Sequence, residues 1–226
     1  MERFLNVLDI LKLTIVLTIV ALIAGLAIAF TNAQTEEKIA LQQKLSQQTA
    51  LEAVLPKGVQ IIEKSGQAPL PSQYWVAVRD QDTVAYAIKG SNRGYSSSIQ
   101  YIVGVRPDGE IVGVNILSQS ETPGLGTRVT EEVSEKYFWN GLWGPKDAID
   151  PWFTQQFVGL NATEDIELAE TAEWHTLSEQ QREELKNQNE ITAITGATIS
   201  TQAVSEGVEK TVSKYLPVLT NAEDGQ

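Results

Sequence analysis

Ile194-Thr195-Gly196-Ala197-Thr198-Ile199-Ser200-Thr201 is the stretch around which the chain is organised. It is small, rich in hydroxyls, and runs straight into a segment with helical periodicity. Val204, Val208, Val212, Tyr215 and Leu216 recur at three- and four-residue steps, which puts them on one helix face. Pro217 should end or kink that helix, because its ring removes a backbone donor and crowds the preceding turn. Thr198 is therefore expected in a tight turn at or just before a helix N-terminus. Backbone N–H groups lack partners there, and the helix dipole favours negative charge. A phosphate would be well held at that place. The plainer reading of the same residues is a hydroxyl N-cap with a glycine easing the turn.

The rest of the chain bounds the choice. It has 226 residues, room for one membrane segment and one domain with its own core. A formal net charge of −12 argues against nucleic acid as a partner, which would need a basic footprint. The absence of cysteine excludes disulfides, cysteine-ligated iron–sulfur centres and thiol catalysis in this chain. His175 is the single histidine, so a multi-histidine metal site is not available. Its polar, acidic setting reads as a surface position.

Leu13 to Phe30 contains no charged residue, and with Ile10 and Leu11 in front it approaches the ~20 residues that span a bilayer. A cleaved signal peptide is the competing reading, with Ala27-Ile28-Ala29 and Thr31-Asn32-Ala33 as small-residue sites. The apolar run is longer than a usual signal core, which favours a retained single-pass anchor in the plasma membrane. Arg3, Lys12 and the N-terminal amine precede the span, while Lys38 and Lys44 follow at a greater distance. The positive-inside rule then leaves the N-terminus in the cytoplasm and the rest on the periplasmic or extracytoplasmic side. Residues 34–58 are Gln-rich with Ile39, Leu41, Leu45, Leu51, Val54 and Leu55 at mixed helical spacing, stopped by Pro56 and Gly58. They form either a helical stalk leading into a domain or a helix packed on it. The expected division is an anchor over 1–33, a stalk over 34–58, an extracytoplasmic domain over 59–220 and a disordered tail over 221–226.

From Val59 the texture becomes that of strands. Gln60-Ile61-Ile62 is a short apolar run. Tyr74 to Val78 and Thr83 to Ile88 are separated by Arg79-Asp80-Gln81-Asp82, which predicts a hairpin, and Gly90 to Gly94 reads as a loop. Ile99 to Val105 and Ile111 to Leu117 are the strongest strands, joined by the Pro107-Asp108-Gly109 turn. Ile99, Tyr101, Val103 and Val105 should share a buried face. In the second strand Val112, Val114 and Ile116 share a face, but the alternation is imperfect. Gly113 there marks a bulge or a close backbone approach. Strands in series followed by helices predict an α+β domain: a compact antiparallel sheet with flanking helices.

Directly after the hairpin comes Ser120-Glu121-Thr122-Pro123-Gly124-Leu125-Gly126-Thr127-Arg128. Pro-Gly signals a type II turn, and Gly126 permits another close approach. The stretch is either a plain strand-ending turn or a loop whose bare backbone presses against a flat ligand or a phosphate. Tyr137 to Phe157 gathers Tyr137, Phe138, Trp139, Trp143, Trp152, Phe153 and Phe157. Core and lid are the favoured roles, with a partner interface or a planar cofactor as the alternative. Thr163 to Glu184 is acidic and reads as mostly solvated, with Ser178 and Gln181 set to form a capping box.

An N-terminal anchor, a hairpin ending in Glu121-Thr122-Pro123-Gly124-Leu125-Gly126, and Thr195-Gly196-Ala197-Thr198 before the final helix occur here in order. Together they resemble the FMN-binding domain family, and within it the G subunits of Rnf ion-translocating electron-transport complexes. The C subunits of sodium-pumping NADH:quinone reductases are the next closest match. Gly94-Tyr95-Ser96-Ser97-Ser98-Ile99, the Pro107-Asp108-Gly109 turn and Trp152-Phe153-Thr154-Gln155-Gln156-Phe157 fit the same pattern, so the resemblance runs from about Leu13 to Leu219. It implies FMN joined covalently through its phosphate to the Thr198 hydroxyl, installed from FAD by a separate flavin transferase with a divalent cation. Thr195, Gly196, Ala197 and the Glu121–Gly126 loop would line the cofactor site. It also implies an electron carrier within a multi-subunit membrane complex that passes electrons between ferredoxin and NAD while moving Na⁺ or H⁺. One departure stands out: the family often has Asp three residues before the first hydroxyl of the motif, and here that residue is Thr192. Two other readings remain beside this one. One is a flavinylated component of a quinone reductase or another membrane reductase. The other is a membrane-tethered scaffold without cofactor, in which Thr198 only caps a helix.

Overall fold

The computed structural model describes residues 7–131 and 151–224, so Tyr137, Phe138, Trp139 and Trp143 lie outside the described residues. Two compact units divide the chain, residues 1–47 and 48–226. The first is the bulk of helix α1 (Val7–Val54). Its apolar part has a mean hydropathy of 2.8 over its best window and is long and apolar enough to cross a membrane. Thr14 and Thr18 return their hydroxyls to the carbonyls of Ile10 and Thr14 at 2.9 and 2.8 Å, so no side-chain polar group of theirs is left facing an apolar surround.

The second unit is α+β, as the sequence predicts. Strands β1 (Gln60–Lys64), β2 (Tyr74–Arg79), β3 (Asp82–Arg93), β4 (Ser98–Val105) and β5 (Ile111–Ser118) form an antiparallel meander in sequence order. The β2–β3 turn is made by Asp80 and Gln81, both at positive φ (53° and 74°), which matches the right-handed twist of the two strands. Strand β3 is longer than expected. Gly90 to Arg93, read as a loop, pairs in register with Tyr101 to Ser98. The partner strand overrides the local turn signal, and the true loop is only Gly94 to Ser97, closed by Gly94 N–H donating to the Ser97 carbonyl at 2.8 Å.

Each face of the sheet has its own core. Ile99, Tyr101, Val103 and Val105 lie together on the face that packs against helix α4 (Thr198–Asp224), where Val204, Val208 and Val212 are fully buried. Each such valine contributes about 1.5–3 kcal/mol relative to exposure. Helix α4 runs on through Pro217, because Leu216 and Leu219 are buried on either side of it and hold the turn in spite of the missing N–H. Trp152 and Phe153 of the short helix α2 (Trp152–Gln155), with Phe157, complete this core. The described part of the aromatic cluster is therefore interior. Residues 163–184 are mostly exposed, as their charge predicts, with three apolar exceptions. Ile166, Trp174 and Leu177 dock one by one into the core, an insertion that leaves no period in the sequence. Strand β6 (Glu167–Ala169) pairs in parallel with β7 (Glu190–Thr192), and between them helix α3 (Glu179–Asn187) starts at the expected Ser178/Gln181 capping box.

The opposite face is closed by the end of α1. Ala50, Leu51, Val54 and the following Leu55 are buried against Trp75, Ala77, Ala85, Ala87 and Ile102. Gly104 and Gly113 face each other across β4 and β5 and form a trough for this helix end. A Cβ at Gly104 would overlap the Val54 carbonyl, and one at Gly113 would lie 2.9 Å from the Val54 Cα. The imperfect alternation of β5 has its cause here. Gly104 pairs with Gly113 and Val105 with Ile111, so Val112 is an extra, bulged residue that turns to the α1 side. Gly104→Ala is expected to lower the stability of the domain by about 3 kcal/mol, the cost of forcing a helix backbone off its seat. For a domain this size that is a fall in Tm of about 6–12 °C, read by calorimetry. An unchanged Tm would mean that the helix end does not sit in the trough.

Candidate functional site

The stretch Ile194–Thr201 leaves strand β7, turns at Gly196 (φ 77°) and enters α4 at Thr198. The turn is held from inside: Ile194 N–H donates to Thr201 Oγ1 at 3.0 Å and Thr201 Oγ1 returns a bond to the Ala197 carbonyl at 3.1 Å. Thr201 thus takes the cap-like structural role, and the Thr198 side chain is left exposed at the first turn of a 27-residue helix. The first N–H groups of that helix have no partner within it.

Facing this turn is Thr122-Pro123-Gly124-Leu125, a turn closed by Leu125 N–H donating to the Thr122 carbonyl at 3.1 Å with Gly124 at φ 74°. Gly126 then opens a short 3₁₀ turn (Gly126–Thr130). Between the two lies an open cavity of about 630 Å³. It brings together Glu121, Thr122, Leu125, Gly126, Gly196, Ala197 and Thr198, from two stretches far apart in sequence, and adds Tyr95, Ile199 and Ser200. Pro123, Gly124 and Thr195 do not line it. Pro123 and Gly124 shape the turn. Thr195 points its hydroxyl and its N–H to the Glu173 carboxylate, the N–H at 2.8 Å. Tyr95, Leu125 and Ile199 are large apolar side chains left 67, 44 and 55% exposed around the Thr198 hydroxyl.

Glu121 is the hub of the wall. It is buried, and its Oε2 accepts Ser200 Oγ at 2.6 Å and the Tyr95 N–H at 3.0 Å, while Oε1 accepts the N–H groups of Ser96 and Ser97 at 3.1 and 2.8 Å. Burial pushes its pKa up, but these donors, Ser200 first, outweigh it and hold the carboxyl below its ordinary value. The neighbouring α4 N-terminus favours the same charge. A carboxylate so fully engaged cannot hold a phosphate. It fixes the Gly94–Ser97 loop, its own loop and α4 to one another. A Cβ at Gly126 would lie 2.6 Å from Ser200 Oγ, so glycine there is what lets the loop close on the helix.

Behind the cavity, Arg128 forms a two-pronged pair with Glu173, Nη1 to Oε1 and Nη2 to Oε2 both at 2.8 Å, and its Nε binds Glu131 at 2.8 Å. The Arg128 hydrogen bonds outweigh burial and pull the Glu173 pKa down from 4.5 to about 2. A depressed carboxylate contributes stability that is fully present above the unfolded value of 4.5 and is lost as pH falls through the folded value. The stability difference between wild type and Glu173→Gln should therefore shrink between about pH 4.5 and pH 2, by at most about 3 kcal/mol, as followed by denaturant titration. A difference that stays flat over that window would mean the pair is not formed. His175, expected on the surface, stacks edge-on against Trp152 at 4.9 Å, and its Nδ1 is buried without a hydrogen-bond partner. Position 192 is fully buried: the Thr192 hydroxyl accepts the Trp174 N–H at 2.9 Å and donates to Gln156 Oε1 at 3.0 Å. Its part is to seat the strand that feeds the motif.

Sequence reasoning placed the two loops but not Tyr95, Ile199 or Ser200 at the site, although all three lie inside stretches already singled out. Arg128 and Glu173 carried no local signal. The arrangement suits a ligand with a flat apolar part and a phosphate: a free hydroxyl at a helix N-terminus, an apolar rim, and backbone bared at Gly126 and Gly196. Among the described residues no cluster of His, Asp and Glu could hold a metal ion.

Comparison with known proteins agrees with this geometry. A family model for the FMN-binding domain matches residues 94–213, and one for the RnfG N-terminal region matches residues 1–54. The G subunit of the Na(+)-translocating ferredoxin:NAD(+) oxidoreductase complex of Acetobacterium woodii is 29% identical over 218 residues, covering 90% of each chain. The G subunit of the proton-translocating ferredoxin:NAD(+) oxidoreductase complex of Clostridium ljungdahlii is 25% identical, over 88% of this chain and 87% of that one. Among solved structures, the C subunit of the Na(+)-translocating NADH-quinone reductase from Parabacteroides distasonis aligns over 83% of this chain and 96% of that one. Its TM-score of 0.50 at 17% identity speaks to the fold alone.

Proposed function

This chain belongs to the FMN-binding domain family, and we propose that it is the G-type electron-carrier component of an Rnf ion-translocating ferredoxin:NAD oxidoreductase complex, with FMN bound covalently through its phosphate to Thr198. The observation that carries the reading is the exposed Thr198 hydroxyl at the first turn of α4, on the wall of an apolar-rimmed cavity. The match of residues 1–54 to the RnfG N-terminal region favours an Rnf complex over a quinone reductase.

In this reading each part of the site has one task. Thr198 Oγ1 would be the attachment atom: it loses its proton to the transferase and bonds to the FMN phosphorus of FAD as the pyrophosphate bond breaks and AMP leaves. The N–H groups of the α4 first turn and the helix dipole would hold the phosphate, worth about 0.3–1 kcal/mol where exposed. Tyr95, Leu125 and Ile199 shield the flat ring system from water. When bound, FMN supplies one- and two-electron chemistry, so the protein needs no acid, base or nucleophile of its own. Helix α1 anchors the chain in the plasma membrane, with residues 48–226 on the extracytoplasmic side and the other subunits of the complex as neighbours.

The test is mass spectrometry of the tryptic peptide holding Thr198, from protein taken from its native membrane and denatured. An FMN-sized addition on Thr198, with yellow colour surviving denaturation, is expected. An unmodified peptide and a colourless protein would overturn the reading and leave a tethered scaffold in its place.

A further inference from the structure

The cavity is walled by two loops far apart in sequence, and two carboxylates tie them together. Glu121 does so on the cavity side, through Ser200. Glu173 does so from behind, and nothing about the family or the cofactor assigns it a task. Its Oε1 accepts the N–H of Thr195, three residues before Thr198, and both its oxygens hold the Arg128 guanidinium, two residues past Gly126. The side chains of Arg128 and Glu173 are only 21 and 14% exposed, so this is a largely dry, two-pronged pair rather than a surface contact. Arg128 is itself fixed by Glu131, which also accepts the Trp152 indole N–H at 3.2 Å. Gly196 is the hinge between the anchored Thr195 and the helix, and a Cβ there would lie 3.1 Å from Leu125 Cδ2. The gap between Leu125 and Gly196 is thus held from behind by this ion pair, alongside the Glu121–Ser200 bond on the cavity side.

We infer that Glu173 and Arg128 are positioning residues for the cofactor: their pair holds the spacing between the Glu121–Gly126 loop and the Thr195–Thr198 turn, and with it the angle at which Thr198 presents its hydroxyl to the cavity that would take the flavin. The inference rests on the covalent-FMN reading. Neither side chain lines the cavity, so each acts through the loop it holds. A lysine at 128 would keep the charge but lose the fork that grips both oxygens, and should restore the spacing in part.

The experiment loads full-length protein with FMN, using purified flavin transferase, FAD and a divalent cation, and follows the rate of attachment and the visible circular dichroism of the attached flavin. Wild type is compared with Glu173→Gln, Arg128→Met, Arg128→Lys and the double variant Glu173→Gln/Arg128→Met, each checked for folding by far-ultraviolet circular dichroism. Both single replacements are expected to slow attachment about tenfold or more, as for other misplacements of a reacting group by an ångström or less. They should also change the visible spectrum of the attached flavin. Arg128→Lys should recover part of both, and the double variant should be no slower than the worse single one, because the two share one interaction. Folded variants that load at the wild-type rate with a wild-type flavin spectrum would overturn the inference and reduce the pair to a stabilising contact. Wild-type protein that takes no flavin at all would instead overturn the covalent reading, and the inference with it.

Discussion

Thr198→Val is expected to abolish covalent flavin, leaving a folded and colourless protein. Valine keeps the shape of threonine and removes only the exposed hydroxyl, on which the fold does not rely. The turn's own closure belongs to Thr201, so helix α4 should start where it does in the wild type and the Tm should move little. The loss of ester should be complete, because the other hydroxyls of the motif are engaged, and Thr122, on the facing loop, is paired with Ser96 at 3.3 Å and does not sit at the helix N-terminus. Ser200 Oγ is buried against Glu121 at 2.6 Å, and Thr195 is turned to Glu173. Thr198→Ser keeps a hydroxyl at the same turn and should restore attachment at least in part. Absorbance of the denatured protein near the flavin bands reads the result. Retained colour in the valine variant would move the attachment to another hydroxyl and remove the main support for the assignment.

Glu121→Ala should have the next largest effect, on stability and on loading together. Removal of the carboxylate takes the acceptor from the part-buried N–H groups of Tyr95, Ser96 and Ser97 and from the buried Ser200 hydroxyl. The buried hydroxyl alone costs about 1–3 kcal/mol when left unsatisfied, and with the loss of the other three charge-assisted bonds the total is about 3 kcal/mol. In a domain of this length that is a fall in Tm of roughly 6–12 °C. Glu121→Gln keeps one acceptor oxygen and should lie between. The sign with pH follows from the depressed pKa of Glu121: its contribution is present above the ordinary carboxylate range and is lost as pH falls through the depressed value. The alanine variant should therefore show a smaller loss of stability on acidification than the wild type. An alanine variant as stable as wild type, loaded normally, would show that the carboxylate is not the hub of the wall.

The sequence by itself determined the parts whose cause is local. The apolar run of α1, the alternation in β4, the Pro107-Asp108-Gly109 turn, the Ser178/Gln181 capping box and the valine face of α4 are each legible, because burial of one face imposes a period on neighbouring residues. The two site loops were legible too, from glycine, proline and hydroxyls at set spacings. What only the tertiary structure decided is pairing over long separations. Glu121 meets Ser200 and Arg128 meets Glu173 across 79 and 45 positions, and a bond of that kind leaves no periodic trace. Gly90 to Arg93 became strand because β4 lay beside it, and Gly104 and Gly113 are glycines because the backbone at Val54 comes down on them. The acidic stretch 163–184 is mostly exposed, as its composition predicts, but the docking of Ile166, Trp174 and Leu177 and the packing of His175 on Trp152 were not legible, for the same reason: their neighbours in space are not their neighbours in the chain.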